Sequence, residues 1–80
     1  MTREQLMTCM AAVLTTALET EPEPFPESLA YLATGADLTK WEQVKHMLTG
    51  SGLITTAGHA IQLTDKGRAL ARQCAGLLAH

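Results

Sequence analysis

Between Arg3 and Glu19 apolar residues recur at helical spacing, with no glycine or proline to interrupt them. On a helical wheel, Leu6, Met7, Cys9, Met10, Ala11, Val13, Leu14, Ala17 and Leu18 fill one broad arc, and Thr8, Thr15 and Thr16 lie opposite. The pattern predicts a helix over 3–19 whose apolar arc is wider than one contact needs, so that two sides of it are covered. Glu21-Pro22-Glu23-Pro24-Phe25-Pro26 then breaks the period. Three prolines so closely spaced exclude helix and predict an extended, acidic link over 20–26. Pro26 also suits the first position of a second helix, where its missing N–H would have no partner in any case. That helix is expected over about 26–34, with Leu29, Tyr31 and Leu32 toward the core and Gly35 just past its end.

Thr39-Lys40-Trp41-Glu42 has the spacing of a capping box, in which Thr39 and Glu42 each satisfy the other's backbone N–H. A third helix is therefore expected from there to about Thr49. Trp41, Val44, Met47 and Leu48 form its inner face, and Glu42, Gln43, Lys45, His46 and Thr49 its outer one. Gly50-Ser51-Gly52 ends it. Leu53–Thr56 and Ala60–Leu63 are short β-prone runs around the turn residues Ala57-Gly58-His59, and read as a hairpin over 53–63. Thr64 is placed to cap a last helix over 65–79, with Leu70, Cys74, Leu77 and Leu78 on one side and Arg68 and Arg72 on another. The expected fold is mainly α with a small β-hairpin, one domain over 1–80, its core built from Leu14, Leu32, Val44, Leu48, Leu53, Ile61, Leu63 and Leu70.

Two stretches carry a resemblance. Val44-x-x-x-Leu48-x-x-x-Gly52-Leu53-Ile54 is similar to a recognition helix leading into the first strand of a wing. Ile61-Gln62-Leu63-Thr64-Asp65-Lys66-Gly67-Arg68-Ala69-Leu70-Ala71 is similar to a second wing strand turning into a closing helix. At that corner Leu63 is expected to be buried, Thr64 to cap, and Gly67 to let the new helix pack closely on its neighbour. Over roughly 3–75 the chain resembles the winged helix-turn-helix of small bacterial transcription regulators. The resemblance implies double-stranded DNA as partner, with the third helix in the major groove and the wing near the backbone. It also implies a homodimer through the terminal helices, here 3–19 and 65–79.

Charge keeps a second reading open. The net charge is −2, and its distribution is uneven. Residues 1–36 set Arg3 against five glutamates, a balance of −4, whereas residues 37–80 set five cations against three acids, a balance of +2. Phosphate neutralisation supplies most DNA affinity. The candidate contacts for it are Lys40, Lys45, Lys66, Arg68 and Arg72, with Gln43 and His46 as base readers. If they bind DNA, the acidic front half must face away. The wing tip, Ala57-Gly58-His59, has no Lys or Arg. A winged helix that contacts another protein fits the same residues.

The remaining chemistry is sparse. Cys9 and Cys74 have no CxxC spacing and read as two small buried thiols. His46, His59 and His80 are not at ligand spacing, so no metal or cofactor is expected. No nucleophile–base pair or phosphate-cradling glycine loop is present, and an enzyme is not expected. The longest apolar run near the start, Cys9 to Leu14, is too short to span a bilayer and poorly built for a signal peptide. The expectation is a cytoplasmic chain with reduced thiols and no membrane contact.

Overall fold

A computed structural model describes residues 2–78, with side chains through Gly76. The expected roles of Leu77, Leu78 and His80, and the extension of the last helix to residue 79, therefore lie outside the described residues. The elements follow in the order α1 (Arg3–Thr20), β1 (Phe25–Pro26), α2 (Glu27–Ala33), α3 (Leu38–Gly50), β2 (Ile54–Ala57), β3 (Ala60–Leu63) and α4 (Asp65–Leu78). The described residues are thus mainly helical, with a small antiparallel sheet whose β2–β3 hairpin follows α3. This order is compatible with winged-helix topology.

Helix α1 begins at a capping box that was not among the expected caps. Thr2 Oγ1 accepts from the Gln5 N–H at 3.1 Å, and Gln5 Oε1 accepts from the Thr2 N–H at 3.0 Å. Val13, Leu14 and Ala17 bury the centre of the apolar arc. α4 packs along α1 within the same chain, so the two broad apolar faces largely cover one another.

The acidic link is not only a connector. Phe25 and Pro26 form a short strand, β1, that pairs antiparallel with β3 in the register Phe25↔Ile61 and Pro26↔Ala60. The sheet therefore has three strands in the order β1-β3-β2, not the two expected. Proline is tolerated because β1 is an edge strand. Phe25, one of the largest fully buried side chains, anchors the link in the core.

Pro26 is accordingly the residue before α2 rather than its first helical residue. α2 is only seven residues long, and Ala30 takes its single fully buried position. A small residue there lets α2 lie close to the core, and the wheel then turns its leucines outward. Leu32, expected in the core, is 60% exposed, and Leu29 is 48% exposed. Gly35 adopts φ +86° just after the helix, as its place in the sequence suggested.

The start of α3 also differs. Asp37, not Thr39, is the N-cap: its Oδ1 accepts from the Lys40 N–H at 3.1 Å. Thr39 is inside the helix. Ala36, at φ +56°, turns the chain so that the helix opens two residues early. Trp41, Val44 and Leu48 are buried as expected, but Met47 is exposed.

The hairpin turn Gly58-His59 has both residues at positive φ, +55° and +65°, the combination that a two-residue type I′ turn requires. The corner after β3 is built as the sequence indicated. Thr64 Oγ1 accepts from the Gly67 N–H at 3.0 Å and donates to the Gly52 carbonyl at 2.6 Å. Leu53, Ile61 and Leu63 are buried there, and Leu70 is half-buried against the core.

Candidate functional site

The seven candidate residues do not share a surface. On α3, Lys40, Gln43 and His46 follow one another at i, i+3 and i+6 along the exposed side, whereas Lys45 lies on another flank. Gln43 and His46 are exposed on its outer side, together with Glu42 and Thr49. Lys40 lies on the flank toward α1, in a shallow groove shared with Glu4 and Thr8. Lys45 lies on the flank toward α2 and donates from Nζ to Glu27 Oε1 at 2.8 Å. The same oxygen accepts from the Trp41 indole N–H at 3.1 Å. One carboxylate thus ties two positions of α3, one turn apart, to the start of α2.

The three candidates on α4 are divided in the same way. Lys66 donates from Nζ to the Ser51 carbonyl at 3.1 Å, at the C-terminal end of α3. A cation there suits both an orphan carbonyl and the negative end of the helix dipole. Arg68 turns to the link after α1. Its Nε and Nη2 reach the two carboxylate oxygens of Glu21 at 3.0 and 2.9 Å, and its Nη1 reaches Asp65 at 3.1 Å. The fork geometry is the one that matches guanidinium to carboxylate. Arg72 is exposed, and its charge also acts on Glu21.

The acidic half is in direct contact with the basic half. It supplies the partners of Lys45 and Arg68. Glu27 and Glu21 are 18 and 47 residues from the cations they hold, which is why no local pattern points to them. The opposed charge of the two halves of the chain was the available signal.

The β2–β3 hairpin is short and held down. The His59 carbonyl accepts from the Glu27 N–H at 2.8 Å, which fastens the hairpin tip to the first residue of α2. Ala57, Gly58 and His59 are exposed and carry no Lys or Arg.

The two glutamates are held in their ionised form. The hydrogen bond from Lys45 lowers the Glu27 carboxyl; partial burial opposes this, and the Trp41 N–H and the neighbouring charges reinforce it. The hydrogen bond from Arg68 does the same for Glu21, against a smaller opposing effect of burial, and with help from the charges of Arg68 and Arg72. The Arg68 guanidinium is raised in turn, chiefly by its hydrogen bond to Glu21. For a carboxyl depressed in the folded state, the stabilisation is complete above the unfolded value and is lost as pH falls through the folded one. Carboxyl-carbon NMR is expected to give midpoints below the ordinary glutamate value for both residues. Lys45→Met is expected to move the Glu27 midpoint upward and leave that of Glu21 in place. Midpoints at or above the ordinary glutamate value in the native chain would mean that the pairs do not form in solution.

Among the described residues no group of three or more His, Cys, Asp or Glu side chains is placed to hold a metal ion, and no helix is long and apolar enough to cross a membrane. Compared with known protein families, curated proteins and solved structures, the chain has no significant match to any.

Proposed function

We propose that this chain is a winged-helix binding module that acts by contact with another protein and performs no chemistry itself. The observation that carries this reading is the use of its cations. Of the five in the back half, Lys45 and Arg68 are held by carboxylates of the front half. Lys40 stands on the flank of α3 toward α1, whereas Lys66, on α4, reaches the Ser51 carbonyl at the C-terminal end of α3. Phosphate binding needs cations that act together along a strip, and each one already paired must first lose its partner. Large apolar side chains meanwhile stand exposed on α2 and α3.

A DNA-binding regulator is the second reading, favoured by one feature: Gln43 and His46 project from the outer side of α3, where side chains can meet base edges. Titration with double-stranded DNA separates the two. The protein reading predicts no binding. The DNA reading predicts binding that Lys45→Glu weakens on every sequence, while Gln43→Ala changes preference more than strength.

A second copy is one partner such a module takes. Where α1 and α4 cover each other, a groove of about 180 Å³ remains, lined by Met7, Met10, Ala11, Leu14, Leu70 and Cys74. Met7 at its edge is 58% exposed. A homodimer through α1 and α4 closes this groove, and sedimentation at roughly 50 µM is expected to show it, as micromolar affinity requires. A single species of 8.6 kDa would reject the dimer.

A further inference from the structure

The groove between α1 and α4 gathers three sulfur-bearing side chains. Among the described residues its walls are Met7, Met10 and Cys74 together with the hydrocarbon side chains of Ala11, Leu14 and Leu70. No side-chain oxygen or nitrogen stands among these six, so sulfur supplies their only heteroatoms. α1 brings Met7 and Met10 together at i and i+3, with Cβ atoms about 5–6 Å apart. α4, packed along α1, brings Cys74 to the same groove, one turn after Leu70. Met7 is exposed at the rim, whereas Met10 packs against the core. Cys9 and Cys74 are both free thiols and half-buried, not fully buried as the sequence suggested. Of the two, Cys74 lines this groove, and Cys9 lines the polar groove beside Lys40.

We infer that Met7, Met10 and Cys74 form a binding site for a soft monovalent metal ion, copper(I). Thiolate and thioether sulfur select copper(I), whereas hard ions such as magnesium and calcium need oxygen. The charge balance points the same way. On binding, an S–Cu bond forms, the Cys74 thiol gives its proton to solvent, and no oxidation state changes. The thiolate cancels the single positive charge, so the filled site is neutral, as apolar walls require. A divalent ion on the same three sulfurs would leave a net charge there. At about 180 Å³ the groove has room for an ion, but it is smaller than ordinary pockets for organic ligands, roughly 300 Å³ or more. The three rotatable bonds of methionine let both thioethers close on an ion between the helices. The inference is independent of the protein and DNA readings above.

The test is an anaerobic titration of the reduced full chain, without added thiol, against copper(I) held by ferrozine, whose colour fades as the protein takes the ion. Uptake of one ion per chain is expected, with release of one proton and therefore tighter binding as pH rises. Silver(I), of the same charge and softness, is expected to shift the methyl NMR signals of Met7 and Met10 but not that of Met47, exposed on α3. Met7→Leu and Met10→Leu, which keep the apolar volume, and Cys74→Ala are each expected to weaken binding by about tenfold or more, at least the loss seen when a metal ligand is deprived of its supporting partner. Cys9→Ala is expected to leave it unchanged. No uptake, as when a side chain of a second copy fills the groove, would overturn the inference. So would uptake undiminished in the folded methionine variants, an equal loss in Cys9→Ala, or a silver shift at Met47 that matches those at Met7 and Met10.

Discussion

Val44→Asp is expected to unfold the domain. Val44 is 0% exposed, on the inner face of α3, with Trp41 one turn before it and Leu48 one turn after it, both buried. The surrounding core cluster holds no charged side chain, and its Trp41 indole N–H is already donated to Glu27. Burying one there costs about 3–5 kcal/mol, or leaves the aspartate protonated with much of that cost retained. A domain of this size has about 5 kcal/mol to lose, the low end of the usual range. Circular dichroism is expected to show loss of the cooperative melt at neutral pH. A melting temperature close to that of the parent chain would mean that α3 does not face the core as described.

Gly67→Ala is expected to give the next largest loss, and its sign is informative. Helix propensity alone favours alanine by about 1 kcal/mol. A Cβ at Gly67, however, would fall on the carbonyl oxygen of Leu53 and within 2.8 Å of its carbon. Those are backbone atoms leading into β2, so they cannot rotate aside, and Thr64 and Gly52 pin the same corner. Overpacking of this kind costs about 3 kcal/mol, enough to outweigh propensity. The expected net loss of roughly 2 kcal/mol corresponds to about 8–16 °C in melting temperature for a chain this small. Gly76→Ala is the internal control: it lies in the same helix with nothing within 4 Å of the added Cβ, and is expected to be neutral or stabilising. A rise in stability with Gly67→Ala would contradict the close approach of α4 to Leu53.

Gly67 also marks what can be read from sequence. Its close approach, the Thr64 cap and the hairpin at 54–63 follow from local chemistry, in which residues a few positions apart dictate one geometry. The neighbour it packs against is a backbone segment fourteen residues earlier, which local chemistry does not name. Features that depend on distant partners were hidden in the same way. Phe25-Pro26 becomes a strand because β3 offers it a free edge, and no strand signal survives among three prolines. Leu32 looked like core because it is leucine at helical spacing; the two-turn helix has room for one buried position, and Ala30 fills it. Thr39 and Glu42 have the capping spacing, yet Asp37 caps first because Ala36 accepts a positive φ. Of the candidate contacts, the sequence supplied every cation, but not the glutamates that hold two of them.

The two ion pairs matter for binding because of where they are, not for their strength. Exposed pairs of this type contribute about 0–1 kcal/mol to stability. Their effect is to place a carboxylate beside Lys45 and Arg68, two of the cations that phosphate binding would need.

The most direct test of this account is a titration of the protein with random-sequence duplex DNA at low salt, near 50 mM, up to about 100 µM protein, the weak end of ordinary non-specific affinity. The expected result is no detectable binding. Binding in that range, with a log–log salt slope of roughly −3 or steeper, as three or four phosphate contacts would give, would contradict it.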